Sequence, residues 1–98
     1  MSKPKLLEND FDFEKTLPEW QLNLAAQELE RVFVFKDFRG AFKFMTLCAN
    51  LADELDHHPD WSNSWNKVSV RLSTHSMKAL TELDITMASA MDQFALQV

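Results

Sequence analysis

Glycine is almost missing from this chain: Gly40 is the one glycine in 98 residues, and there are three prolines. That scarcity leaves little room for long flexible linkers, and no repeat or low-complexity tract interrupts the sequence. Cysteine is as scarce. A lone Cys48, set in an apolar run, forms no internal disulfide; it fits a reducing compartment and reads as core filler rather than a nucleophile. Long apolar runs are absent too. "MSKPKLLENDFDFEK" has no uninterrupted stretch of signal-peptide length, and nothing further on is long enough to span a bilayer. The expectation is a cytoplasmic protein with no membrane contact. Positive charge is in deficit, with Lys+Arg at 10 against Asp+Glu at 15 and a formal net charge of -5. That balance argues against an electrostatic grip on nucleic acid or on an anionic membrane surface.

What remains is an ordinary globular composition, 46% hydrophobic and 26% charged, in a length that supports one modest core. Residues 1-98 are expected to form a single domain, with 1-18 an irregular, acidic N-terminal segment punctuated by Pro4 and Pro18. Alternation in Trp20 to Leu24 predicts a strand, and the run Val32-Phe33-Val34-Phe35 predicts a second. The two are close enough to pair as a hairpin around Ala25 to Glu28, although that connection lacks the usual turn residues. Asp37 then caps a helix over residues 38-56. On that helix Arg39, Lys43, Thr46, Asn50 and Asp53 make one narrow polar stripe, and the apolar remainder covers roughly 220°, where one buried face needs only about 100°. Such a helix is expected to pack twice, on its own sheet and on another subunit.

Pro59 is expected to stop the helix, which places His57 and His58 at or just past its C-terminus. Period-two patterning then returns: Val68, Val70 and Leu72 face one way, and Ser69, Arg71, Ser73 and His75 the other, with Asn66-Lys67 read as a tight turn between two strands. Thr81 opens a last helix with Asp84 as its capping-box partner, and Ile85, Ala88, Met91 and Ala95 mark its buried face. The fold class is α+β: a two-layer arrangement of an antiparallel four-stranded sheet with helices on one face, in the order β-β-α-β-β-α.

The chain has three histidines, and all of them fall between positions 57 and 75. Three imidazoles in one place invite a zinc reading, but adjacent histidines at a helix end point in different directions, and neither HExxH spacing nor a cysteine pair is present. A solvated histidine is also favourable at the negative end of a helix dipole, which would account for any one of them taken singly. General acid/base catalysis is the third reading, since one imidazole can accept a proton while another donates. Asp53, Asp56 and Asp84 are then available to orient rings, while Trp61 and Trp65 flank the cluster.

Asp53, then His57-His58-Pro59, Trp65, His75 and Asp84 together resemble the signature of the pterin-4a-carbinolamine dehydratases. The resemblance extends through "FVFKDFRGAFKFM", "LSTH" and "LDITMASAMDQF", from Trp20 to about Gln93. The family often has glycine where this chain has Ala79, and residues 1-18 give no clear counterpart to its first helix. The resemblance implies dehydration of 4a-hydroxytetrahydrobiopterin, or a related pterin substrate, to the quinonoid dihydropterin, which recycles the cofactor of aromatic amino acid hydroxylases. It implies no metal and no organic cofactor. His57 and His75 would be the main acid/base pair, with His58 binding and assisting. Asp53, Asp56, Pro59, Trp61, Ser73, Thr74 and Asp84 would be the substrate-binding positions. Members commonly form a homo-oligomer, a dimer or tetramer. Some animal members also serve as a dimerisation cofactor of a homeodomain transcription factor, so an interaction module built on the apolar helix 38-56 is the alternative reading.

Overall fold

The chain is described by a computed structural model over residues 4-8 and 10-98. The part of the expected irregular N-terminal segment made up of residues 1-3 and 9 lies outside the described residues. Within that segment the chain forms one helical turn, α1 (Phe13–Thr16), capped by the Asp12 side chain, which accepts from the Lys15 amide. Then come β1 (Gln21–Asn23), β2 (Glu28–Val34), α2 (Phe38–Leu55), β3 (Asp60–Ser64), β4 (Lys67–Leu72), a 3₁₀ turn (His75–Met77) and α3 (Glu82–Leu96). The four strands make one antiparallel sheet in the order β1-β2-β4-β3. After α1, the element order is the expected β-β-α-β-β-α.

Alternation decides which face is covered. Leu29 and Phe33 on β2, with Val68, Val70 and Leu72 on β4, are buried in one core with Phe44 and Cys48 of α2 and Met87 and Met91 of α3. Their neighbours in sequence, Val32, Ser69 and Arg71, stay exposed on the opposite face. Both long helices therefore cover the same side of the sheet. Ala41, Phe44, Cys48 and Ala52 form the buried face of α2. On α3 the buried residues are Asp84, Met87, Ala88 and Met91, so Ile85 and Ala95 sit at the margin of the face they were expected to mark.

Three boundaries differ from the sequence expectation, each for a local reason. The first strand is shorter than Trp20 to Leu24, because Trp20 is buried and its indole N–H donates to Asp92 at 2.8 Å, while Leu24 enters the turn. That turn works without glycine: the Asn23 side chain accepts from the Ala26 amide, and Gln27 takes a left-handed φ of 53°. The β3–β4 turn is Trp65-Asn66, one residue earlier than expected, since Ser64 pairs with Lys67. Asn66 is bound to the end of β2 through Phe35, and the positive φ of 50° falls on Trp65. Finally, α2 ends at Leu55, before Pro59 can act. Asp56 adopts the left-handed conformation (φ 49°, ψ 45°) and terminates it.

Candidate active site

The end of α2 places His57. The Asp56 amide donates to Asp53 O, and the His57 amide donates to Ala52 O at 3.0 Å. Those two bonds, with a left-handed residue between helix and exit, make a Schellman motif. The second residue past the helix in this motif usually turns an apolar side chain back onto the core. Here that residue is an imidazole, 7% exposed.

Its partner comes from the start of α3. His57 Nε2 lies 2.7 Å from Asp84 Oδ1, and Asp84 is fully buried. Asp84 Oδ2 accepts from the Thr81 amide and the Thr74 hydroxyl, both at 2.9 Å. The Thr81 hydroxyl accepts from the Leu83 amide and donates to Thr74 Oγ1 at 2.6 Å. The directions follow from one constraint. An ionised carboxylate only accepts, so beside an ionised Asp84 the proton of a neutral His57 sits on Nε2. The capping box thus serves two ends: it starts α3 and holds the carboxylate that orients His57. No buried side-chain nitrogen or oxygen among the described residues lacks a partner.

His58 and His75 are exposed, and each has a carboxylate of its own. His58 Nε2 is 3.0 Å from Asp53 Oδ1, and His75 Nε2 is 3.0 Å from Asp60 Oδ2. His75 does not end a strand as expected. β4 stops at Leu72, the alternation carries Thr74 inward to Asp84, and His75 opens the 3₁₀ turn that follows. Among the described residues no group of three or more His, Cys, Asp or Glu side chains is arranged to hold a metal ion.

A pocket of about 490 Å³ joins these parts, a size ordinary for a small-molecule site. It is lined by His57, His58 and His75, by Asp56, Ser73 and Thr74, and by Pro4, Leu55, Ser76, Glu82 and Leu83. Six residues named from the sequence are therefore brought together. Asp84 and Asp53 sit behind His57 and His58 and do not line the pocket, and Pro59 and Trp61 are outside it. Trp65, expected to flank the cluster, is 66% exposed at the far end of the β3–β4 hairpin. Asp60, Thr81 and Glu82 were missed. The capping box announces Thr81, but nothing local links it to Thr74, and only the tertiary fold sets Asp60 beside His75.

The family model described as Pterin 4 alpha carbinolamine dehydratase matches residues 4–94. A protein of Bordetella avium (strain 197N) that bears a provisional name as a pterin-4-alpha-carbinolamine dehydratase is 46% identical over 81 residues, 83% of this chain and 75% of that protein. A crystal structure from Brucella melitensis, described as a transcriptional coactivator/pterin dehydratase, superposes with a TM-score of 0.82 at 42% identity, over 93% of this chain and 98% of that one. A pterin dehydratase-like protein identified as a RuBisCO assembly factor in the alpha-carboxysome shares the fold, with a TM-score of 0.69 at 20% identity over 82% of this chain and 93% of that one.

Proposed function

The chain belongs to the pterin 4 alpha carbinolamine dehydratase family, and on that premise we propose that it dehydrates 4a-hydroxytetrahydrobiopterin, or a close pterin, by histidine general acid/base catalysis. The observation that carries the reading is the buried His57–Asp84 pair opening on a pocket that also holds His75. In the reaction the C4a–O bond breaks and the hydroxyl leaves as water. It takes a proton from an acid, while a base removes the proton from the ring nitrogen whose electrons form the new C=N bond. Two groups that titrate near neutrality are what this exchange requires. His57 and His75 are the pair in this reading, with Asp84 fixing the tautomer of one and Asp60 held against the other. His58 contributes mainly to binding. Asp56, Ser73 and Thr74 line the pterin's place, together with backbone groups able to read its amide edge.

The physiological setting in this reading is cofactor recycling beside an aromatic amino acid hydroxylase, in the cytoplasm, where a free thiol such as Cys48 stays reduced. The working form is a homo-oligomer, a dimer or tetramer. Its supporting observation is the pair Phe38 and Phe42, 47% and 56% exposed with ring centroids 5.7 Å apart on the outer side of α2. The same surface supports a second reading, an interaction module. A stopped-flow assay on 4a-hydroxytetrahydrobiopterin tests the main one. The unmodified chain is expected to accelerate dehydration, and His57→Ala and His75→Ala each to lower kcat by roughly 10²-fold, whereas His58→Ala acts mainly on KM. A chain that leaves the spontaneous rate unchanged sinks the enzyme reading and leaves the interaction module standing.

A further inference from the structure

The N-terminus of α3 is closed by a segment remote in sequence. Glu82 is the first residue of that helix, so its amide has no intrahelical acceptor. It donates instead to Lys5 O at 2.9 Å, and the Glu82 carboxylate returns a bond by accepting from the Lys5 amide at 3.3 Å. Next along the chain, Leu6 bridges Thr81 in antiparallel fashion, and Leu7 packs on the core. Pro4, just before this clasp, lines the same pocket as His57 and His75, and so does Glu82. Residues 4-7 thus lie across the cap that supplies Asp84 to His57, and end as a wall of the site.

We infer that residues 4-7 are a fixed strap forming one wall of the substrate pocket, and that Glu82 is its buckle, a positioning residue that sets how tightly substrate is held. The inference rests on the dehydratase reading for its substrate and on the hydrogen bonds above for its geometry. The ring nitrogens of His57, His58 and His75 bond to Asp84, Asp53 and Asp60 and not to the strap, so loosening it costs binding shared by ground and transition states. That kind of loss appears in KM and not in kcat.

The first-turn position allows a clean test in the full chain. Proline is well tolerated as the first residue of a helix, and Thr81 already holds the extended ψ of 178° that a residue before proline requires. Glu82→Pro therefore removes both bonds to Lys5 and keeps the helix. Glu82→Ala removes only the side-chain bond, and Glu82→Gln, which keeps an acceptor oxygen, is the conservative rescue. Hydrogen exchange of the 4-8 segment is expected to quicken in the order Gln, Ala, Pro, with thermal melting confirming that each variant folds. KM for 4a-hydroxytetrahydrobiopterin is expected to rise in the same order, by about 3–10-fold in Glu82→Pro, as befits one or two hydrogen bonds, with kcat held. Exchange that does not quicken in Glu82→Pro overturns the buckle. Exchange that quickens while KM stays fixed overturns the wall. An unmodified chain with neither turnover nor affinity for 7,8-dihydrobiopterin is a different failure: it overturns the dehydratase reading and the substrate half of this inference together, and exchange alone then decides the buckle.

Discussion

His57 surrenders one ring nitrogen to a carboxylate that water does not reach, and this contact separates it from the two exposed histidines. Asp84 holds three donors at once, so its removal is costly in two ways. Asp84→Ala would strand the Thr81 amide, the Thr74 hydroxyl and His57 Nε2, and a loss of roughly 2–4 kcal/mol in a urea melt is expected for donors left buried without an acceptor. Asp84→Asn keeps the volume and one acceptor oxygen but offers an N–H₂ that cannot accept from His57. The fold should survive, and kcat should drop by roughly 10²-fold or more because the imidazole loses its tautomer and its support. A kcat near that of the unmodified chain in a folded Asp84→Asn variant would show that the pair is structural. Cys48 makes the contrasting case. It is fully buried in α2, and burial pushes its thiol from 9.0 up to about 12. The thiolate is scarce at neutral pH, so reaction with a thiol reagent at pH 8 should proceed only as fast as the chain opens. The same shift has a sign for stability. Above pH 9 the unfolded chain releases this proton and the folded chain keeps it, so Cys48 withdraws stability progressively between pH 9 and about 12. A Cys48→Ala variant should resist alkali better across that window, measured against its own stability at pH 7. A thiol that reacts at once in the folded protein would contradict this placement.

Among the elements, the end of α2 carries the most consequence, because one residue of chain direction there decides where an imidazole goes. Asp56 occupies the left-handed position that glycine usually fills. Asp56→Gly should relieve about 1 kcal/mol of backbone cost and raise the melting temperature. It also takes a carboxylate out of the pocket, so a higher KM is expected alongside the higher stability, the usual exchange at a site built on strain. A fall in melting temperature would mean that the Asp56 side chain contributes more than its backbone conformation costs. This motif also marks how far the sequence could be read. The α2 span, the inward row Val68, Val70 and Leu72, and the Thr81–Asp84 capping box were legible because each rests on a local period or a fixed short spacing. The Schellman exit was not, since no glycine stands there to announce it and Pro59 offered a plausible but later stop. Trp65 was misplaced for a related reason: β4 must keep its valines inward, and that register assigns the strained turn position to a tryptophan. The pocket was legible as a set of histidines with neighbouring serine and threonine. Its strap was not, because a bond between residues 5 and 82 has no signature in either segment alone.

At the scale of the molecule, the helix layer and the sheet do not cover each other completely. The sheet and α3 together bury the Ala41, Phe44, Cys48 and Ala52 side of α2, so the apolar arc read from the sequence leaves Phe38 and Phe42 in contact with water. Val32 and Val34 are likewise exposed, on the face of β2 opposite the buried Leu29 and Phe33. Scattered exposed apolar residues need no explanation, but a paired aromatic surface on a helix with a second apolar side does. The covering expected from the proposed function is another copy of this chain. A stable interface needs about 1,000 Å² or more of buried surface, far more than two rings supply, so α2 would be its centre rather than its whole extent. Phe42→Glu places a charge at that centre without touching the buried side of the helix, and burying an unpaired carboxylate is prohibitive. The unmodified chain is expected to scatter light as a dimer or tetramer at micromolar concentration, and Phe42→Glu to scatter as a monomer with its circular dichroism unchanged. The pocket lies at the opposite end of α2, around Leu55 to His58, so the dissociated variant should keep most of its kcat if each subunit carries a whole site. A monomeric unmodified chain would reject the second packing of α2, and a variant that loses assembly and turnover together would mean that the site draws on a neighbour.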